Sequence, residues 1–164
     1  MSEENKAVFR RWFEEVWNKG RAEAIDEMFA ADGVAHGLAG ADGAELRGPA
    51  DFRVFHRSFR EAFPDIEVRV EDVIAEGDKV AGRCSARATH RADSLGFAAT
   101  DRGVEFEGMC IARVRDGQIV EAWNTFDFLT MYRQLGVLQM PAAASGPDEG
   151  GASGSEGAAL PSSD

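Results

Sequence analysis

At Pro64 the spacing of apolar residues changes from steps of three and four to steps of two, and that order restricts the fold. Before it lie three helical stripes. Val8, Phe9, Trp12, Phe13, Val16 and Trp17 mark a helix over 3–19 that Gly20 ends, and Ala22, Ile25, Met28 and Phe29 mark a short one over 21–30. Gly48-Pro49 opens a third, with Phe52, Phe55, Phe59 and Phe63 on one face and Pro64 as its stop. The segment 31–48 between them is glycine-rich and reads as loop, with a short strand near Val34–His36. After Pro64 come alternating strands: 66–75, with a slip of parity at Val73-Ile74 that predicts a bulge, then 80–90, 104–115 and 118–128. Leu129–Gly136 reads as a last helical turn or two. Helices followed by long antiparallel strands give an α+β order. The expected form is a cone-shaped α+β barrel, three N-terminal helices packed on a curved antiparallel sheet, whose mouth is a natural pocket.

The strongest local signal is Asp116-Gly117 between two alternating strands, a two-residue hairpin. An unbroken ladder from that turn pairs Val114 with Ile119, Cys110 with Trp123, Gly108 with Thr125 and Phe106 with Asp127. One face then carries Phe106, Cys110, Trp123, Thr125 and Asp127, and has the character of a pocket wall. The other carries Met109, Ile111, Val120 and Phe126, apolar enough to predict a homodimer or homotetramer. A bulge in either strand would exchange the faces beyond it.

Composition narrows the function. The 164 residues carry a net charge of −11 with no cluster of Lys or Arg, which argues against nucleic acid and anionic membrane as partners. No apolar run approaches the roughly 20 residues of a membrane span, and the N-terminus lacks the pattern of a signal peptide, so the expected location is cytoplasmic. Cys84 and Cys110, the two cysteines, form no CxxC pair, and no cluster has metal-ligand spacing. Residues 139–164 are Gly, Ala, Ser and Pro with four acids and no basic residue. Such a segment cannot offset its ordering entropy, so the expected organisation is a domain over 1–138 and a disordered tail over 139–164.

The ordered set AFPD, EGDKV, TH, RxxDGxIVExW and QLG, running from about Val8 to Leu138, resembles the SnoaL-like polyketide cyclase (ester cyclase) family of the nuclear transport factor two-like superfamily. The resemblance implies the cone fold, small homo-oligomers and no metal or organic cofactor. It implies a hydrophobic, polyketide-like substrate and ring closure by intramolecular aldol condensation, an activity of the lyase or isomerase type in antibiotic biosynthesis. An aspartate would serve as acid and base, at the position of Asp127, with His36 as a pocket histidine. Three positions depart from the pattern. The family often has an acid at Cys110, a histidine at Ala122 and Pro-Pro at Ala98-Ala99. The superfamily also holds hydroxylases, epoxide hydrolases, isomerases and proteins without catalysis, so a non-aldol enzyme and a non-catalytic ligand-binding module stand as alternatives.

The chemistry sets a further expectation. An aspartate near pH 4 is a weak base, and apolar walls would make it stronger by penalising its charged form. Phe126, Phe128 and Trp123 would do so for Asp127. The competing reading is that Asp127 caps the helix beginning near Leu129, a position aspartate favours. Phe55 and Phe59 are expected mostly in the core with an edge on the ligand, and His90 at a strand end near the mouth. A substrate-sized cavity beside a buried Asp127 would mark an enzyme, and a cavity filled by aromatic rings a binding module.

Overall fold

The computed structural model describes residues 2–38 and 43–139. Four helices and six strands follow the order α1 (Ser2–Trp12), α2 (Glu23–Met28), β1 (Phe29–His36), β2 (Leu46–Arg47), α3 (Gly48–Ala62), β3 (Glu67–Glu76), β4 (Lys79–Thr89), β5 (Gly103–Arg115), β6 (Gln118–Phe126) and α4 (Phe128–Leu135). The strands form one sheet in the order β2-β1-β6-β5-β4-β3. All pairs are antiparallel except β1–β6, which is parallel. The sheet is therefore mixed, where the sequence pattern led to an antiparallel one. β1 is also longer than the expected three residues, since it takes Phe29 and Ala30 from the end of the expected second helix. Of the tail expected to be disordered, residues 140–164 lie outside the described residues.

The core lies between the helices and one face of the sheet. Phe9, Trp12, Phe13 and Trp17 of the first helix meet Phe29 of β1 and Phe52 and Phe59 of α3, with Trp12 and Phe52 in edge contact at 5.0 Å. Burying rings of this size contributes about 1.5–3 kcal/mol apiece. α1 runs on as a π-helical turn over Phe13–Asn18, and neighbouring side chains satisfy the carbonyls left open there. His56 Nε2 donates to Val16 O at 2.7 Å and Arg60 to Trp17 O at 3.1 Å. Burial holds the His56 imidazole below its usual range, so His56 is a neutral structural donor. On the sheet, Val80, Gly82, Cys84, Ala86 and Ala88 of β4 and Val104, Phe106, Gly108, Cys110, Ala112 and Val114 of β5 all face the core.

The β5–β6 hairpin has the expected turn, Asp116 and Gly117 both lying at positive φ, as a two-residue hairpin requires. Its ladder starts as expected, with Arg115 opposite Gln118 and Val114 opposite Ile119. The next pair is Arg113 with Glu121, so Val120 is an extra residue. Every pairing beyond it moves by one: Ile111 meets Trp123, Cys110 meets Asn124, Met109 meets Thr125 and Gly108 meets Phe126. Because side chains alternate, the bulge exchanges the two faces of β6. Ala122, Asn124 and Phe126 face inward, and Glu121, Trp123 and Thr125 face outward. A second bulge, at Glu71 in β3, stands two residues before the slip expected at Val73-Ile74.

Candidate active site

Two neighbouring spaces lie between the helices and the sheet. The inner one is a chamber of about 40 Å3 walled by rings, among them Phe13, Trp17, Phe59, Phe106 and Phe126. Apart from the Trp17 indole, Asn124 is the one polar side chain among its lining residues. The outer one is a groove of about 730 Å3 between α3, α4 and the loops after β1 and β4, lined by Leu46, Val54, Leu95 and Tyr132 with the carboxylates of Glu45 and Asp51. Leu38, Phe55, Phe59 and Phe128 border both spaces. A small ligand needs some 300–1,000 Å3, so the groove fits a substrate's body and the chamber only its tip. The aromatic filling of the interior is the feature expected of a binding module. The groove supplies the substrate-sized space expected of an enzyme, but not the buried Asp127 expected beside it, whose carboxylate is exposed and outside the groove's lining.

Asn124 is positioned by the bulge and by β1. Its Nδ2 donates to the His36 carbonyl at 2.9 Å, which fixes the amide plane and leaves a second N–H unassigned. Gly37 lets the chains approach: a Cβ there would stand 2.0 Å from the Asn124 carbonyl oxygen, and Gly37 itself has φ +81°. Gly108 plays the same part for Phe126, whose ring lies where a Cβ would be, at 2.2 Å.

Asp127 stands elsewhere than the unbroken ladder put it. Its carboxylate is exposed and caps α4, accepting from Thr130 N at 3.0 Å and Thr130 Oγ1 at 2.6 Å. Those hydrogen bonds hold its pKa below the usual carboxylate range, the reverse of the rise expected from apolar walls. The flanking rings turn toward the chamber while the acid between them turns to solvent.

His36 and Trp123 also lie outside the chamber, on the outer face, stacked at 5.7 Å with their planes 18° apart. His36 Nδ1 meets Glu45 at 2.8 Å and Nε2 meets Glu121 at 3.0 Å. Glu121 and Glu45 raise its pKa, and both ring nitrogens act as donors in the imidazolium. The chain of charge continues from Glu45 to Arg47 at 2.6 Å and from Glu121 to Arg113 at 2.9 Å. Thr125 is exposed on the same outer face.

Among the other expected site residues, Phe55, Phe59 and Phe106 line the chamber. Cys110 lies on the core face beside Asn124, 5% exposed but outside the chamber's lining, and burial pushes its thiol up to about 12. His90 is fully buried under the loop 91–102, with Phe97 at 5.0 Å and Phe63 at 5.5 Å. Its Nδ1 accepts from Thr100 N at 3.1 Å, and its Nε2 has no hydrogen-bond partner among the protein atoms. Among the described residues no group of three or more His, Cys, Asp or Glu side chains is placed to hold a metal, and no helix is long and apolar enough to cross a membrane.

Residues 7–135 match the model of the SnoaL-like polyketide cyclase family. The chain belongs to that family. Among SnoaL-like relatives, the aklanonic acid methyl ester cyclase DnrD of Streptomyces peucetius is 29% identical over 124 residues, which cover 74% of this chain and 84% of DnrD. IdmH of Streptomyces antibioticus, a proposed polyketide cyclase, superposes with a TM-score of 0.70 at 34% identity, over 81% of this chain and 99% of IdmH. AclR of Streptomyces galilaeus, a proposed hydroxylase, superposes with a TM-score of 0.72 at 27% identity, over 84% of this chain and 88% of AclR. With these SnoaL-like relatives the chain is an enzyme of the cyclase type on a curved, unclosed six-stranded sheet. The residue that the unbroken ladder hid is Asn124. Its signal was the pair Ile119-Val120, two adjacent apolar residues in an alternating strand.

Proposed function

We propose that the chain closes a ring on a largely apolar, polyketide-derived substrate whose body lies in the groove and whose reacting end enters the chamber. The observation that carries this reading is Asn124, one fixed amide in a chamber otherwise walled by Phe55, Phe59, Phe126, Phe128 and their neighbours. Its second N–H donates to the carbonyl oxygen that gains charge as the new bond forms. One such donor in a dry site is typically worth about 10²–10³ in rate. The rings hold the substrate folded, and well-oriented intramolecular reactions draw about 7–11 kcal/mol of their barrier from such positioning.

In an aldol closure the carbon acid gives a proton to hydroxide in the groove water, the enolate carbon bonds to the carbonyl carbon, and the resulting alkoxide takes a proton from water and regenerates the hydroxide. The product is an isomer of the substrate, so the reaction calls for no co-reactant and the reading assigns none to a metal or organic cofactor. Asp127 serves as a helix cap in this reading rather than as the base. The chain works in the cytoplasm as a homodimer or homotetramer, through an outer sheet face where Ile74 and Met109 are 72% and 59% exposed.

The test uses aklanonic acid methyl ester, the substrate in the name of the DnrD relative. Asn124→Leu is expected to lower turnover by about 10²–10³, and Asp127→Asn to leave it near wild type. Normal turnover in the Leu variant, with loss in the Asn variant, would return the acid/base role to Asp127. A product heavier by one oxygen atom would favour the chemistry proposed for AclR.

A further inference from the structure

We infer that His36 is a positioning residue, clamped on the outer face between Glu45 and Glu121 so that its backbone carbonyl fixes the Asn124 amide on the inner face. The inference rests on the reading in which Asn124 acts in the chamber. The path is short. The ring of His36 is tied at both nitrogens, at 2.8 Å and 3.0 Å, and lies flat against Trp123. The same residue's carbonyl accepts from Asn124 Nδ2 at 2.9 Å. β1 and β6 run parallel with His36 opposite Trp123, the neighbour of Asn124, and Gly37 brings the two backbones together. A displaced His36 ring therefore carries its carbonyl, and with it the amide plane.

The clamp needs a doubly protonated ring. A neutral imidazole has one N–H, so it can donate to only one of two carboxylates, and the other contact then sets acceptor against acceptor. The charged groups around it form one alternating chain across five segments. Arg47 holds Glu45 from β2, Glu121 answers from β6, Arg113 of β5 holds Glu121, Asp78 approaches Arg113 at 3.4 Å from the β3–β4 turn, and Lys79 of β4 lies over Trp123 at 5.7 Å. The two acids, Glu121 first, raise the pKa of His36 more than burial lowers it. The enzyme then loses turnover as pH rises through the His36 transition, although no side chain lining the chamber titrates there.

The deciding measurement is proton–nitrogen NMR on the full chain from pH 5.5 to 9.5, following the His36 ring nitrogens and the Asn124 side-chain NH2. The Asn124 resonances should move with the midpoint of His36. On aklanonic acid methyl ester, kcat should fall about tenfold to hundredfold above that midpoint, the effect of a misplacement near 1 Å, with KM little changed. His36→Lys keeps a charged donor and should keep kcat at high pH, whereas His36→Gln should lower it throughout. An Asn124 NH2 that ignores the His36 titration overturns the inference, as does a Gln variant that keeps both kcat and the alkaline fall. The titration of the unaltered chain needs no variant to fold. It also separates this inference from the proposed function: coupled resonances beside normal turnover in Asn124→Leu leave the clamp standing and remove the chamber chemistry.

Discussion

Cys110 offers a measure of how dry the interior is behind Asn124. The thiol is 5% exposed and its ionisation is pushed from the ordinary 9.0 to about 12, chiefly by burial. At about 1.4 kcal/mol per tenfold change in acid constant, a charge at this site costs roughly 4 kcal/mol more than in water. Cys110→Asp places a carboxylate in the same surroundings. Its pKa should rise from near 4 to near 7 by the same desolvation. The native state then binds a proton that the unfolded chain has released, so stability falls with pH between those two values. The cost is absent below about pH 4, grows through the window, and is complete above about pH 7. There it removes about 4 kcal/mol, a large part of a typical total of 5–15 kcal/mol. Cys110→Asn controls for size and polarity. Urea unfolding of both variants from pH 4.5 to 8 gives the difference directly. Parallel stabilities across that range would mean that water or a counter-charge reaches the site, and the description of an apolar wall would fall with it.

Three further outcomes follow from particular contacts. Asp127→Ala should lower the melting temperature by uncapping α4 while Asp127→Asn keeps it, and the charge contribution of Asp127 should be full above about pH 4 and be lost as pH falls through its folded pKa, which lies below its unfolded one; equal melting of the Ala variant and wild type would refute the cap. Gly108→Ala should cost about 1–3 kcal/mol by overpacking against the Phe126 ring, and adding Phe126→Leu should restore most of it, as read by thermal melts. Ile111→Asp, on the outer face between Ala81 and Trp123, should leave the fold intact and shift sedimentation toward monomer; an unchanged sedimentation profile would move the interface elsewhere.

The parts of the fold set by local periodicity were legible. The stripe of Phe52, Phe55, Phe59 and Phe63 is the inner face of α3 and its C-terminal cap, and Asp116-Gly117 makes the expected turn. The small residues of β4 face the core because Phe9 packs against Gly82, where a Cβ would meet the ring at 2.3 Å. Pairing between distant segments was not legible. The parallel partnership of β1 with β6 joins residues some ninety positions apart, and nothing local encodes it. The candidate site fared worse than the fold for one reason. Its assignment ran along one unbroken ladder, and a single extra residue near the start reversed all that lay beyond. Asp127 drew notice because an acid between phenylalanines is unusual. In the structure its carboxylate makes the local contact, a cap that a Thr three residues later completes.

The extra residue at Val120 makes β6 a strand with two possible readings, and only one is in use. Closing the bulge with Val120 kept, so that it pairs with Arg113, would let Glu121, Trp123 and Thr125 point where Ala122, Asn124 and Phe126 now point, and would turn the present chamber residues out to solvent. A carboxylate and an indole would then enter the interior without any change of sequence. Deleting Val120, by contrast, would leave Glu121 opposite Arg113 and every later pairing as it is. Alignments that omit a gap at Val120 against a strand without the bulge would compare, from one protein to the next, the lining of a chamber with the outer skin of a sheet.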